Sequence, residues 1–332
     1  MTPAPVVAVL ATAVLAGWAA LAASDDGGAL APMLTVLVLA LVAFLAGLFL
    51  QRYATALALG IAVIVLLAAL ESSNAFSTRP LAGPTNYANA NAALYVQTAA
   101  LAGLAAARCR QPPLRIALVA VAVVAAGLPL LIGSAAAAVG GVVVAAATLL
   151  GVVRPARSTR LACVAGALTV TFACAGSVIV AERFGNGVPD DDRLTGVAAA
   201  LSERRIELWR DAGRLAADHP VTGVGPGRFD QTSPVARFDS DTRAAHSAPL
   251  EVAAETGLPG GAMLFVIVLA VLAGLWTRGP AAAPALVAVA AWSAFWLHAD
   301  VDYVADFPAV VTIAALVAGL GTPTGGPQGP NG

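Results

Sequence analysis

The sequence predicts an all-α integral membrane protein, a polytopic bundle of about ten transmembrane helices with one large, partly helical extracytoplasmic loop. The first reason is composition: 59% of the 332 residues are hydrophobic and only 11% are charged, whereas soluble domains carry about 25% charged residues. The second is that apolar stretches of nearly membrane-spanning length recur along the chain. The third is a single long polar segment, Ser202–Gly260, which contains two of the three histidines.

Ten apolar stretches are long enough, or nearly so, to cross about 30 Å of hydrocarbon as helices. They are expected near Pro5–Ala23, Ala31–Leu50, Ala54–Leu70, Ala88–Ala107, Leu114–Ile132, Ala135–Val153, Leu161–Ala181, Leu250–Leu275, Ala281–Leu297 and Val304–Leu320. The first ends in ALAAS, which is similar to a signal-peptide cleavage site. Because no basic region precedes it, we interpret it as a retained helix.

The placement of arginine predicts the orientation of these helices. If the N-terminus is cytoplasmic, the short outer loops between the spans contain only Arg79. The inner loops then contain eight arginines: Arg52, Arg108, Arg110, Arg115, Arg154, Arg157, Arg160 and Arg278. This bias follows the positive-inside rule, so the long polar segment is expected outside the cytoplasm.

This topology divides the chain into four parts. Residues 1–181 form an N-terminal bundle of about seven helices, and residues 182–247 form an extracytoplasmic loop that we expect to be catalytic. Residues 248–320 supply about three further helices. Residues 321–332, rich in glycine and proline, are expected to be a disordered cytoplasmic tail.

Within the loop, Ser202 is a candidate N-cap for a helix that runs to about Asp218 and stops before Pro220. Ile206, Trp209, Gly213 and Ala216 share one face of this helix, with arginines on another face. Such a helix is expected to lie along the membrane interface with Trp209 as an anchor. A glycine-rich turn, VTGVGPGRF, follows the helix.

Few residues of the loop and its surroundings carry chemistry, and each has a structural alternative. His246 could take a proton from a hydroxyl group near neutral pH, or it could be a surface histidine near the start of a helix. Arg205 could bind phosphate through paired donors, or it could lie on a solvated helical face. His298 and Asp302, four residues apart, could form a structural hydrogen bond or belong to a site.

Several function classes are not expected. Residues 182–246 hold nine arginines against eleven acidic residues, so no basic surface for nucleic acid is present. The three cysteines lie outside the polar segment, and Cys163 and Cys174 are too far apart on one helix to form a disulfide bond. No cysteine–histidine cluster is visible, and we expect neither a metal nor another cofactor.

The loop resembles the signature region of the O-antigen ligase and O-antigen polymerase superfamily. The resemblance rests on RIELWRDAGRLAADHPVTGVGPGRF and AHSAPLEVAAETGLPGG, with further similarity at GPTNYANANAAL and LHADVDYVADFPA. The positions that fit the family pattern are Arg205, Trp209, Pro220, Gly223, Gly225, Phe229, His246, Leu250, Glu255, Gly257 and Gly260.

The resemblance implies a bacterial plasma-membrane glycosyltransferase that moves a glycan from a polyprenyl-diphosphate donor, such as undecaprenyl diphosphate, to a hydroxyl group of a cell-envelope glycan or lipid. It implies that Arg205 stabilises the leaving diphosphate and that His246 binds the acceptor hydroxyl. Arg243, Trp209, Arg79, His298 and Asp302 are the candidate substrate-binding residues. Transfer would be metal-independent and inverting. Two alternatives stay open: a polymerase of lipid-linked repeat units, and a degenerate glycan-binding membrane protein.

The sequence departs from the family pattern at three points. Ser247 stands where asparagine often follows the histidine, and Pro249 replaces an aromatic residue. Many members carry a Ser-Arg motif on an earlier outer loop, whereas this chain has Ser134 followed by Ala135. If that arginine is needed for phosphate binding, then Arg79, Arg243 or another loop residue must replace it, or the activity of this protein is impaired.

Overall fold

A computed structural model describes residues 3–23, 29–72, 85, 87–153, 158–184, 203–238, 243–278 and 281–323. Twelve α-helices account for most of these residues. They are α1 (Pro3–Ala22), α2 (Leu30–Phe49), α3 (Ala54–Ser72), α4 (Ala88–Arg108), α5 (Pro112–Ile132), α6 (Ala135–Val153), α7 (Arg160–Phe184), α8 (Glu203–Asp218), α9 (Phe229–Thr232), α10 (Ala248–Gly274), α11 (Ala282–Val301) and α12 (Pro308–Gly321). Arg79, Ser202 and the predicted disordered tail from residue 324 onward lie outside the described residues.

Eight of the described helices are long and apolar enough to cross a membrane: α1, α2, α4, α5, α6, α7, α10 and α11. The predicted all-helical, multi-pass membrane fold is confirmed. The prediction for the last span was wrong in extent, because residues 304–306 form a 3₁₀ turn and the α-helix begins only at Pro308. Helix α12 has 14 residues and is therefore about 21 Å long.

Helix α4 is the centre of the bundle. Of its most apolar 18-residue window, 94% is buried, and helices α3, α5, α6, α11 and α12 pack around it. The outer helices instead expose large apolar side chains, including Ile116, Leu131 and Phe172. An apolar outer surface around a packed centre is what a bilayer requires of a helical bundle.

Helices α2 and α12 approach each other closely through two glycines. A Cβ atom at Gly319 would lie 2.2 Å from the carbonyl oxygen of Phe44, and one at Gly47 would lie 2.7 Å from the carbonyl oxygen of Leu316. Side chains cap the end of α12, because Arg108 Nη2 donates to the Leu320 carbonyl at 2.6 Å. Carbonyl groups that α12 itself leaves unpaired are thereby partly satisfied.

Helix α10 is broken at Gly257, where the sequence predicted one continuous span. Gly257 has φ 73° and ψ 179°, a backbone conformation that essentially only glycine adopts. The turn after α8 docks on the break: Leu258 N donates to the Pro220 carbonyl, and Val224 N donates to the Ala254 carbonyl, both at 2.9 Å. Trp18 Nε1 donates to the Thr256 carbonyl at 2.8 Å. Backbone N–H and C=O groups that lose their helical hydrogen bonds at the break therefore form hydrogen bonds with neighbouring residues.

Helix α8 packs on α10 and α7 and does not present Trp209 to a membrane surface. Trp209 is 1% exposed and belongs to a small core with Leu208, Phe229 and Leu250. The prediction of a Trp209 membrane anchor was therefore wrong, because the side of α8 that carries Trp209 packs against other parts of the protein and not against lipid. Gly213, assigned to the apolar face, is exposed.

Replacing Gly257 by alanine should destabilise the protein by about 2–4 kcal/mol, because the new Cβ would lie 2.3 Å from the Val221 carbonyl oxygen. Thermal unfolding of the detergent-solubilised protein measures this change. Gly213→Ala is the matched control, since nothing lies within 4 Å of that position and alanine favours a helix. Equal melting temperatures for Gly257→Ala and the wild type would contradict the role of the break.

Candidate functional site

The site is built around the carboxylate of Asp302, the residue that ends α11. The side chain of Asp302 is 2% exposed. Its Oδ1 atom accepts hydrogen bonds from Tyr87 Oη and from its neighbour Tyr303 N, both at 2.8 Å. Its Oδ2 atom accepts a hydrogen bond from Asn89 Nδ2, and Asn89 Nδ2 also donates to Tyr87 Oη at 3.1 Å. The start of α4 and the end of α11 therefore meet at this carboxylate.

Arg205 brings α8 to the same point. Its Nη2 atom lies 2.9 Å from Asp302 Oδ2, and its Nη1 atom donates to the Val301 carbonyl at 3.2 Å. Because the guanidinium is a rigid, planar fork, these two contacts fix its orientation. The side chain of Arg205 is 25% exposed, so the guanidinium is held in place and still reachable from outside.

His246 lies beside Asp302, in the segment that leads into α10. Its Nδ1 atom is 3.6 Å from Asp302 Oδ1, which is beyond hydrogen-bond distance. The ring meets the edge of Tyr303, with centroids 4.5 Å apart. The backbone of His246 is held by Trp209 Nε1, which donates to its carbonyl at 3.1 Å.

The backbone conformation of His246 is unusual. Its φ of 54° makes it the one non-glycine residue with positive φ among the described residues. On the preceding residue, Ala245 N donates to Glu251 Oε2 at 2.9 Å. A backbone held in a sparsely populated conformation by several contacts is typical of a functional position.

The negative charge of Asp302 is compensated by the groups around it. Burial acts to raise the pKa of Asp302, but the His246 imidazole, the Arg205 guanidinium and the Tyr87 hydroxyl outweigh it and hold that pKa below its ordinary value. Burial and the nearby Asp302 charge raise the pKa of Tyr87 well above the ordinary range. Asp302 is therefore anionic and Tyr87 is a neutral hydrogen-bond donor across the physiological pH range.

A cavity of about 550 Å³ lies next to this cluster, between α1, α2, α10, α11 and α12. Apolar side chains form much of its wall, including Met33, Leu37, Ile267, Trp296 and Val311. The polar part of its lining comprises Asp230, Arg243, Glu251, Glu255 and Asp306, and Tyr303 joins it to the His246 side. Burial and the Asp302 charge raise the pKa of Asp306.

The structure brings together three of the candidate residues, Arg205, His246 and Asp302. His298 is buried one turn below Asp302 and close enough to interact with the charges of Asp302 and Arg205. Arg243 is exposed and lines the cavity. Trp209 is buried behind His246 and supports its backbone. The sequence left open whether His298 and Asp302 form a structural hydrogen bond or belong to a site. The hydrogen bonds of Asp302 come instead from Tyr87, Asn89, Arg205 and the backbone of Tyr303.

Tyr87 and Asn89 are site residues that the sequence analysis did not single out. Both lie within GPTNYANANAAL, a stretch used only as part of the resemblance. The available signal was two asparagines and a tyrosine at the start of an otherwise apolar helix. Thr85 Oγ1 donates to Asn91 Oδ1 at 2.7 Å and Tyr87 N donates to Thr85 Oγ1 at 3.2 Å, which fixes the local turn.

The fold and the site together define a multi-pass membrane protein with an arginine–aspartate–histidine cluster at one end of the bundle. Residues 120–265 match the family model described as O-antigen ligase. This match supports the O-antigen ligase superfamily and, at a general level, a function of the O-antigen ligase or polymerase type, a family that implies lipid-linked glycan substrates. The matched region contains Arg205 and His246, whereas Tyr87 and Asp302 lie outside it. No curated protein matches the chain.

Replacing Asp302 by asparagine should lower stability near neutral pH by about 1.5–3 kcal/mol, because Arg205 loses its charged partner. The pKa of Asp302 is lower in the folded state than its ordinary value of 3.8. Its contribution to stability is therefore complete above about pH 4 and declines as pH falls through the folded-state pKa. The measurement is the melting temperature of both proteins against pH.

The gap between the two melting temperatures should narrow below pH 4. Asp218→Asn is the control, since Asp218 is exposed at the end of α8 and its substitution should change little at any pH. A gap of constant size down to pH 2 would show that the charge of Asp302 does not contribute to stability.

Proposed function

We propose that this protein transfers a glycan from a polyprenyl-diphosphate donor to a hydroxyl group of a cell-envelope acceptor, outside the cytoplasm. The observation that carries the proposal is the cluster of Arg205, Asp302 and His246. It combines a fixed cation for a leaving phosphate with a candidate base for a hydroxyl group. The match of residues 120–265 to the O-antigen ligase family model supports the same chemistry.

Arg205 acts on the leaving group. As the bond between the anomeric carbon and the diphosphate oxygen breaks, negative charge grows on the diphosphate. A guanidinium already oriented by Asp302 and Val301 stabilises this charge without reorganising during the reaction. Positive charge from arginine makes the proposed transfer independent of a metal ion.

His246 acts on the acceptor. The acceptor oxygen attacks the anomeric carbon from the side opposite the diphosphate, which inverts that centre, and its proton passes to the imidazole. Asp302, whose Oδ1 atom is 3.6 Å from His246 Nδ1, stabilises the imidazolium that forms. When the proton later returns to solvent or to the diphosphate, the site is restored.

The cavity between α1, α2, α10, α11 and α12 receives the lipid chain of a substrate. Its apolar wall suits an isoprenoid or acyl chain. Arg243, on the polar part of the lining, supplies the second arginine of the proposed phosphate site. In this proposal Arg243 takes the place of the Ser-Arg arginine that the sequence lacks. Ser134, in the corresponding position, is buried before α6.

The test is glycan transfer by protein reconstituted in nanodiscs, with polyprenyl-diphosphate glycans of the native host as donor and envelope extract as acceptor. His246→Ala should abolish detectable transfer, and Arg205→Lys should lower the rate by at least about tenfold, because lysine cannot make both of the contacts of Arg205. The size of the product separates transfer to an envelope acceptor from polymerisation of lipid-linked repeats.

Arg204→Lys is the control for Arg205→Lys, since Arg204 lies on the exposed side of the same helix. Circular dichroism and melting temperature establish that each variant is folded. Wild-type rates in folded His246→Ala and Arg205→Lys would refute the assigned roles. Absence of transfer by the wild type with donor binding intact would favour a glycan-binding protein instead.

A further inference from the structure

The Asp302 carboxylate has all of its hydrogen-bonding positions occupied. An ionised carboxylate offers about four acceptor positions, two on each oxygen. Tyr87 Oη and Tyr303 N occupy Oδ1, while Asn89 Nδ2 and Arg205 Nη2 occupy Oδ2. Four donors therefore fill the four positions before His246 is considered.

His246 is the group left out of this arrangement. Its Nδ1 atom is buried, has no hydrogen-bond partner within the described part of the chain and lies 3.6 Å from Asp302 Oδ1. Buried polar atoms without a partner are rare in folded proteins. Asp302 Oδ1 is the nearest acceptor for this atom, but it already accepts a hydrogen bond from the Tyr87 hydroxyl.

Tyr87 is held in this position by aromatic packing. Its ring stacks on Phe307 with centroids 5.5 Å apart and planes at 7°, and it contacts Tyr303 at 4.5 Å. Tyr303 in turn meets the His246 ring. The Tyr87 hydroxyl therefore lies between the aromatic cluster and the carboxylate, with Asn89 fixing it from the other side.

We propose that Tyr87 is a positioning residue: its hydroxyl occupies Asp302 Oδ1 and so keeps His246 from forming a tight ion pair with Asp302. The imidazole is thereby held close enough to Asp302 to be stabilised when protonated, and far enough away to meet a hydroxyl group. Asn89 supports this role through its hydrogen bonds to Tyr87 Oη and Asp302 Oδ2. The catalytic consequence rests on the proposed function, whereas the competition for Oδ1 does not.

The other charged or titratable groups around the cluster do not take over this task. Arg205 approaches Asp302 from α8 through Oδ2, and His298 lies below it on α11. Asp306 interacts with Asp302 only through its charge, and Glu251 bonds the backbone before His246. Among the described residues, Tyr87 alone contributes a side-chain hydrogen bond to Oδ1.

The first test uses Tyr87→Phe, which removes the hydroxyl and keeps the ring. With one position on Oδ1 free, His246 should move onto Asp302 and bind its proton more tightly. In protein labelled with ¹⁵N-histidine, the pH at which the His246 ring signals change should rise by about 0.5–1 unit. Only three histidines are present, and His246→Ala identifies the signal.

Tyr95→Phe is the matched control. Tyr95 lies on the same helix, is 2% exposed and has a hydroxyl without a hydrogen-bond partner, so its loss should leave the His246 signals unchanged. A midpoint in Tyr87→Phe within about 0.2 units of the wild type would overturn the proposal. This readout requires no transfer activity, so it decides the matter even if the proposed function fails.

The second test is the transfer rate against pH. In Tyr87→Phe, kcat at pH values below the His246 midpoint should fall by about 3–10-fold and recover at higher pH, because a larger fraction of His246 is protonated. A purely structural role of Tyr87 would lower kcat by the same factor at every pH. The proposal would be contradicted if kcat fell by the same factor at every pH and the midpoint of the pH–rate profile on its acidic side did not change.

Discussion

The buried carboxylate of Asp302 is the interaction on which the site depends. Residues separated by up to 215 positions in the chain donate to it, so it ties the start of α4 and helix α8 to the end of α11. A buried carboxylate is costly unless donors compensate it. Here the compensation comes from the residues of the candidate site, so stability and site geometry have the same origin.

The broken helix α10 is the second constraint. A bilayer tolerates irregular backbone only where protein or a cavity provides partners for it, and the glycine turn provides them. Gly223 and Gly257 allow two backbones to approach within distances that a Cβ would block. The helix is therefore kinked at Gly257. Its first part begins two residues after His246, which lies beside Asp302.

The sequence predicted the helical membrane fold because hydropathy depends on composition alone. It could not predict the break in α10, since the hydrogen bonds that stabilise the break come from a turn more than 30 residues earlier in the chain. The burial of Trp209 likewise depends on how α8 docks. Arg205 and His246 were recognisable from local motifs, whereas their connection through Asp302 and Tyr87 arises only when distant segments meet.

The shortness of α12 has a consequence for the depth of the site. Its last carbonyls are level with Arg108 and Gln51, at the ends of α4 and α2, so the helix is short at its beginning. A span of about 21 Å in a hydrocarbon layer of about 30 Å leaves roughly 9 Å uncrossed. The shortfall therefore lies where residues 302–307 connect α11 to α12. The resulting hydrophobic mismatch leaves irregular backbone at this depth, which a membrane tolerates where the backbone lines a cavity, as Tyr303, Asp306 and Phe307 do here.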